Sequence, residues 1–553
     1  MMRIFGTLLV LLSTLISLSA QQTVGLLEYK QSQTYQGYTL IYPHNQPNVY
    51  LIDNCGEVVH SWTDDEDFRP GNTAYLLEDG RLVKTKRPSS VANDAIWAGG
   101  GGAIIEIRTW ENELLWSYEL NNEDARLHHD IAITPDETIL AIAWENKTME
   151  EAIAAGRNPE LLSQGNLWPD YVFEIDPATD EIVWEWYSWD HLVQDFDETK
   201  PNFGNVASEF RKIDLNWDTN DGKSDWHHMN SIAYNPELRQ IMLSVPQYNE
   251  IWVIDHSTTT EQAATGNGGI SNHGGDIIYR VGNQQAYSRG DSTDQWLYYQ
   301  HDAHWIIDVP SSHPDFGKVA VFNNRIGDDF STAEIFTTSW EMYISDYETF
   351  DGTFPPYADN DDRKTISHPD PQRMYSTGLS SIQPLPNGNY LLCSGRQGYI
   401  YELTPDNEIV WEYITPLRAG AAVEQGTELE LNNNLTFRAY KYSLDYPAFD
   451  GKDLEPKGYI ELSPNEEYCN ELILSTEVTD EWTAVIPNPA VDMVKISWAT
   501  GMMVNIHVYD FSGRIIKSET ANGGNHYLDI SDLHSGLYLV RVNNGSAIKL
   551  IKR

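Results

Sequence analysis

One local pattern recurs along this chain at unequal intervals: a strand, an acidic or Asn-containing turn, and a second strand that ends on an aromatic. It occupies residues 49–62, 103–116, 171–184 and 399–411, closing on Trp62, Trp116, Trp184 and Trp411, and a partial copy at 251–255 resumes at 276–280 after an insertion. Apolar and polar residues alternate within each run, the period of a half-buried strand, and Asn, Asp and Gly between the runs favour tight reversals. A second hairpin accompanies most copies, at 74–80, 131–136, 232–236 and 382–388. Two hairpins make a four-stranded sheet that cannot cover both of its faces alone, whereas radial copies around an axis cover one another. The expectation is an all-β chain. A six-bladed β-propeller spans residues 21–480, with the segment from Tyr38 pairing with strands near the end of the repeats to supply the sixth blade. Insertions at 190–227 and 256–300 would shape access to it.

Just before the inner hairpins a shorter motif returns, in which a small residue or His is followed four positions later by a large residue. It starts at Gly71, His129, His228, His301 and Gly378 and reaches Tyr75, Ile133, Ile232, Trp305 and Ile382. Equivalent positions of a cyclic array point at one axis, so His129, His228 and His301 are expected to meet there. A single histidine at a strand start is most often only a satisfied polar group. Three in repeat register point to a site. Converging imidazoles could also hold Zn or Cu. His304 and Trp305 are expected in packing, with Tyr299 free to stack on an aromatic ring.

The balance of 82 acidic against 36 basic residues, a formal charge of -46, opposes nucleic acid or an anionic membrane as partner. Residues 1–20 carry Arg3, an apolar run and the small residues Ser19 and Ala20, the form of a secretory signal peptide. No later stretch has the apolar length of a membrane span. Cys55, Cys393 and Cys469 allow one disulfide and leave one thiol, and none has the spacing of a cysteine-ligated metal or dithiol redox site. Residues 214–222 are dense in Asp and Asn, but the glycine is misplaced for an EF-hand, so an Asx-rich turn is expected. The glycines of 266–275 lack a phosphate-binding context and suggest a mobile lid.

After about residue 468 the repeats stop, and a small β-sandwich is expected over 481–553. It carries Pro487-Asn488-Pro489, Val508-Tyr509-Asp510 with Gly513, Leu533 with Gly536-Leu537-Tyr538, and a lysine-rich end. This set resembles the C-terminal sorting domain of type IX secretion cargo. The resemblance implies export through that machinery and either release or attachment at the cell surface.

Asp225-Trp226-His227-His228-Met229-Asn230-Ser231, with His128-His129-Asp130 and Gln300-His301-Asp302, resembles the bacterial arylsulfate sulfotransferase family. The resemblance implies a transfer of sulfuryl groups from aryl sulfates to phenols, without a nucleotide donor or cofactor. His301 matches the transiently sulfated histidine, His228 and His129 match its two supports, and Asn230 lies in the motif. The chemistry suits these residues: a neutral imidazole attacks sulfur, donors bind the sulfuryl oxygens, and an acid protonates the departing phenolate. Asp302 or a backbone carbonyl would hold the His301 tautomer. The sequence departs from the family at Pro246, where an arginine is expected to bind the sulfuryl group. The same interval counted in other repeats reaches Arg396 from Gly378 and Lys147 from His129, so Arg396 is the expected substitute, with Arg325 and Lys147 as alternatives. Two rival readings are a non-enzymatic binding propeller, for which the repeats suffice, and a quinone-dependent dehydrogenase, which residues 173–184 resemble.

Overall fold

The computed structural model describes residues 22–476, 482–486, 488–498, 503–510, 514–523, 525–542 and 548–553; the expected signal peptide, Pro487 and Gly513 lie outside them. The chain is all-β, a series of antiparallel sheets. We label only the strand that lies innermost in each sheet of the repeat region: β1 Phe68–Leu76, β2 Ala125–Ile133, β3 Ser231–Asn235, β4 His301–Trp305, β5 Ser381–Pro384 and β6 Thr436–Ser443. Each heads a sheet of four or five strands, each touches the next, and β6 touches β1.

The two ends of this region are stitched into sheets built by the other end. Strand Gly37–Pro43 pairs with β6, as expected from the segment around Tyr38, with Gly37 opposite Ser443 and Ile41 opposite Ala439. Gly25–Tyr29 pairs with Ile409–Ile414 at the outer edge of the β5 sheet. Cys55 and Cys469 form a disulfide nearby, and Cys393 is a buried thiol. The termini are thus held where an open array would fray.

The terminal aromatic of the repeat has a defined task. Trp62 Nε1 donates to Thr109 O (3.2 Å), Trp116 Nε1 to Asp180 Oδ1 (2.6 Å), Trp184 Nε1 to Thr258 Oγ1 (3.2 Å) and Trp411 Nε1 to Asn54 O (2.8 Å). Every acceptor lies in or beside the outer turn of the following sheet, and the last bond runs from the β5 sheet to the β6 sheet. A tryptophan buries a large ring and satisfies its one donor across the junction. The β4 sheet lacks this signal. Its outer strands, Thr332–Phe336 and Lys364–Ile366, are separated by residues 337–363, an insertion that conceals the hairpin from a sequence reading.

Beyond the repeats, helix Tyr468–Thr476 packs on Gly25–Tyr29, and Tyr468 Oη donates to Leu27 O at 2.9 Å. The C-terminal residues form two further antiparallel sheets with one apolar core, to which Val494, Ile496 and Leu528 contribute from one sheet and Val504, Ile506, Val508 and Val540 from the other. No helix among the described residues is long and apolar enough to cross a membrane.

Candidate active site

The inner strands start irregularly, and the irregularity makes the site. The pairing register slips beside His128–Asp130, where Ala141 faces Ile131 but Ala143 faces Leu127, and again between His301 and His304. Left-handed backbone accompanies these bulges at His129 (φ 51°), His228 (57°) and Asp302 (60°), and at Leu379 (63°) and Ser380 (98°) ahead of β5. Non-glycine residues hold such conformations only where their surroundings compel it, typically at functional sites. At His129 and His301 the bulges turn consecutive side chains apart, the histidine toward the other histidines and the aspartate after it toward Arg438.

The three histidines come together. The His129 and His228 rings lie 4.5 Å apart, and Phe437 of β6 stands 6.1 Å from His129 and 6.2 Å from His301. Tyr299 completes the circle at 6.0 Å from His228 and 6.1 Å from His301. All three histidines are buried.

Hydrogen bonding gives each imidazole a different state. His301 Nδ1 faces two acceptors, Asn324 Oδ1 at 2.8 Å and Tyr299 O at 3.2 Å. Asn324 is itself fixed, its Nδ2 donating to Ser376 O and Leu379 O, both at 2.9 Å. The proton of His301 therefore sits on Nδ1 and the lone pair on Nε2, where it accepts from Leu379 N at 3.0 Å. Burial holds His301 well below the ordinary histidine pKa, so the ring is neutral. Burial also depresses His129, reinforced by His228 and His128, and its Nδ1 meets His128 Nδ1 at 2.8 Å. His228 goes the other way: burial opposes its charge, but Asp225 Oδ2, 2.6 Å from Nδ1, prevails and raises the pKa. The result is one buried cluster in which His301 is held neutral and the charged form of His228 is favoured.

The layer beneath is a buried ion network. Arg438 of β6 meets Asp130 Oδ2 at 2.8 Å and Asp302 Oδ1 at 3.2 Å, and donates to Tyr75 Oη at 2.8 Å. Each aspartate also accepts a backbone N–H from a following strand, Asp130 from Ile232 (3.1 Å) and Asp302 from Ile382 (2.9 Å). Asp302 thus joins sheets. Of the two expected holders of the His301 tautomer, the backbone carbonyl is in place and the carboxylate is not.

Among the expected anion binders, Arg396 and Arg325 are gathered and Lys147 is not. A methyl group placed on Gly378 would lie 3.4 Å from Arg396 Nη2 and 3.7 Å from His301 Cε1, which sets the guanidinium beside the His301 ring. Arg396 Nη1 donates to Asn432 Oδ1 at 3.1 Å, and its Nε is buried without a partner. Arg325 lies over Tyr299, 3.5 Å from the ring centre. Lys147 is paired with Glu145 at 2.6 Å and sits beside Trp189. Asn230 spends its amide on Gln300 O (2.8 Å), tying β3 to the entry of His301. Pro246 lies in the turn after strand Gln240–Val245, its carbonyl accepting from Asn249 N.

Asn324 and Asp225 escaped the sequence reading, although each left a trace. Phe322 pairs with His301, so a residue two further along its strand must stand above that ring, and Asp225 precedes His228 by three positions in a tight loop. The glycine run that packs on the histidines is 99–102 rather than 266–275. Gly100 O accepts from His129 N (2.8 Å) and Asn72 Nδ2 (2.7 Å), and any side chain at 100 would fall on His129 Nε2. The 266–275 loop instead folds on itself, with Gly274 N donating to Gly268 O, and receives Trp186 Nε1 on Gly275 O. His304 bonds its own segment through Asp302 O, Trp305 is buried in the core, and Asp218 in the Asx-rich turn pairs with Arg157. A cavity of about 290 Å³ beside the disulfide, lined by Tyr29, Tyr38 and Asp53 among others, shares no residue with the cluster.

Solved structures similar to the chain are distant. A protein of unknown function from Bacteroides caccae shares 9% identity over 73% of this chain and 98% of its own, with a TM-score of 0.38. Virginiamycin B lyase from Staphylococcus aureus shares 12% over 72% and 89%, TM-score 0.31, and a putative 6-phosphogluconolactonase from Bacteroides fragilis shares 11% over 75% and 99%, TM-score 0.33. Likenesses at this level carry no argument. No curated protein matches the chain. Residues 484–553 match the secretion system C-terminal sorting domain, of the type IX system, which marks the protein as secreted or displayed at the cell surface. Residues 26–438 match the arylsulfotransferase model over three quarters of the sequence, and the chain belongs to the arylsulfotransferase family.

Proposed function

We propose that the protein is an aryl-sulfate sulfotransferase that moves a sulfuryl group from a phenolic sulfate ester to a phenolic acceptor through sulfated His301, without a nucleotide donor. The reading takes residues 21–480 as a six-bladed β-propeller, 1–20 as its signal peptide and 481–553 as the sorting unit. The observation that carries it is the contrast between two imidazoles: His301 held neutral with its lone pair on Nε2, and His228 with its charged form favoured by Asp225.

In the first step the His301 Nε2 lone pair attacks sulfur, the bond from sulfur to the aryl oxygen breaks, and His228 gives its proton to the departing oxygen. In the second, the acceptor phenol returns a proton to His228, its oxygen attacks sulfur, and the nitrogen–sulfur bond breaks with its electron pair back on Nε2. Leu379 N–H, which caps Nε2 at 3.0 Å, must release it and then lies ready for a sulfuryl oxygen. Arg396, assisted by Arg325, takes the place of the arginine missing at Pro246.

The test is peptide mass spectrometry after brief exposure to 4-nitrophenyl sulfate without acceptor, alongside His301→Asn. A sulfuryl adduct on the peptide containing His301, absent from the variant and discharged by added phenol, is expected. Neither adduct nor nitrophenol release would leave a binding propeller as the better reading.

A further inference from the structure

The protein is strongly acidic, yet the histidine end of its axis is ringed by guanidiniums. Among the described residues, no carboxylate oxygen lies within 4.0 Å of Arg87, Arg325 or Arg396. Elsewhere the structure pairs its buried arginines, as it does Arg438, Arg280 with Glu250, and Arg126 with Asp94. Arg325 and Arg396 have work to do on a sulfuryl group beside His301. Arg87 is left over.

Arg87 lies at the end of strand Leu82–Pro88, opposite Arg69 on β1, and its Nη1 donates to Pro88 O at 3.0 Å. Its guanidinium lies 5.1 Å from the centre of the Trp97 ring, which Arg126 approaches to 4.8 Å. Arg126 is charge-paired: its Nη1 holds Asp94, Ile96 O and Asn121 Oδ1, fixing the loop that carries Trp97, while its Nε and Nη2 are buried without a partner. That loop runs directly into the glycines that lie on His129. The half-buried Trp97 is therefore an aromatic surface three residues before Gly100, which lies on His129, with the carboxylate-paired Arg126 and the carboxylate-free Arg87 against it. His44 lies between the two sides: its charged form is disfavoured by burial and by both Arg87 and Arg396, and the neighbouring Asn72 holds Gly100 O. Its Nε2 is buried with no partner.

Resting on the sulfotransferase reading, we propose that Trp97 and Arg87 form a second subsite, and that the preferred phenol carries a further anionic substituent, a carboxylate or sulfate. The ring lies on Trp97 while Arg87 takes the anion in a bidentate pair. A single sulfate beside Arg396 does not account for Arg87, a second half-buried guanidinium without a carboxylate. A phenol with a remote anion does, because a half-buried arginine gains most from an anion that desolvates with it.

The test is equilibrium binding by calorimetry, which requires no turnover, on 4-hydroxybenzoate, 4-hydroxybenzenesulfonate (a non-transferable stand-in for a sulfate) and the neutral 4-hydroxybenzyl alcohol, with wild type, Arg87→Gln and Arg87→Lys. A charge-assisted pair predicts that wild type binds one or both anionic phenols about 10- to 100-fold more tightly than the neutral one. In Arg87→Gln the ratio falls to about one, and Arg87→Lys restores part of it, because a point charge replaces the fork. Trp97→Leu weakens the neutral and anionic phenols alike, which separates the stacking surface from the anion contact. The preferred anion tells carboxylate from sulfate. Equal affinity of wild type for neutral and anionic phenols, or a preference that survives Arg87→Gln, would overturn the proposal. If instead the His301 adduct never forms while the Arg87-dependent preference stands, the sulfotransferase reading fails and the subsite remains.

Discussion

Replacing Asp225 with asparagine changes one atom of the site and tests the assignment of the acid. The carboxylate lies 2.6 Å from His228 Nδ1, and both groups are largely buried. Two unit charges about 4 Å apart in a medium of effective dielectric about 20 attract by ~4 kcal/mol. Without that attraction burial, the largest influence on His228, and Arg325 favour the neutral ring against the weaker pull of Asp170. The variant should therefore hold neutral His228 at pH 7 and lose general-acid assistance, a factor of roughly 10²–10⁴. The loss depends on the leaving group. An electron-poor donor such as 4-nitrophenyl sulfate departs as a stable phenolate and should be little affected, whereas phenyl sulfate, which needs its proton, should bear nearly the whole loss. In wild type the acid form of His228 prevails below its raised pKa, so turnover of phenyl sulfate falls as pH rises through that value; in Asp225→Asn the fall moves to lower pH. Initial rates for both donors across pH give the answer. An equal loss for both donors would show that Asp225 only holds the fold, and no loss for either would remove His228 as the acid.

Asn324→Ala frees the His301 proton to move between nitrogens, and adduct formation should slow at least about 10-fold, as expected of a mis-set tautomer, in rapid-quench mass spectrometry. Gly100→Ala puts a methyl group on His129 Nε2 at a left-handed residue (φ 82°), and should cost about 1–3 kcal/mol in denaturant unfolding while abolishing adduct formation. Arg438→Met leaves Asp130 and Asp302 buried without their cation, a loss of about 3–5 kcal/mol in the same assay. Cys469→Ser opens the link from Cys55 across the closing sheets and should cost about 2–5 kcal/mol, with activity retained by the folded fraction.

The sequence by itself determined whatever depends on near neighbours. Alternating runs and Asx turns specify hairpins through local backbone preference, so the strands around Trp62, Trp116, Trp184 and Trp411 were legible. The repeat register of His129, His228 and His301 foretold their meeting because equivalent residues of a cyclic array share an axis. The β4 sheet, whose hairpin is split by residues 337–363, fell outside that logic.

Only the tertiary structure decided the chemistry of each group. A tautomer follows from which acceptor stands above a ring, and Asn324 reaches His301 across a pairing that no local preference encodes. Glycines at 266–275 and 99–102 look alike as sequence, and only packing sets the second on His129. Arg396 and Lys147 stand at the same interval within their repeats, yet Lys147 meets Glu145 while Arg396 meets no carboxylate. Charge is screened or left bare by whatever folds against it, so the fate of a cation is a property of its surroundings rather than of its place in the chain.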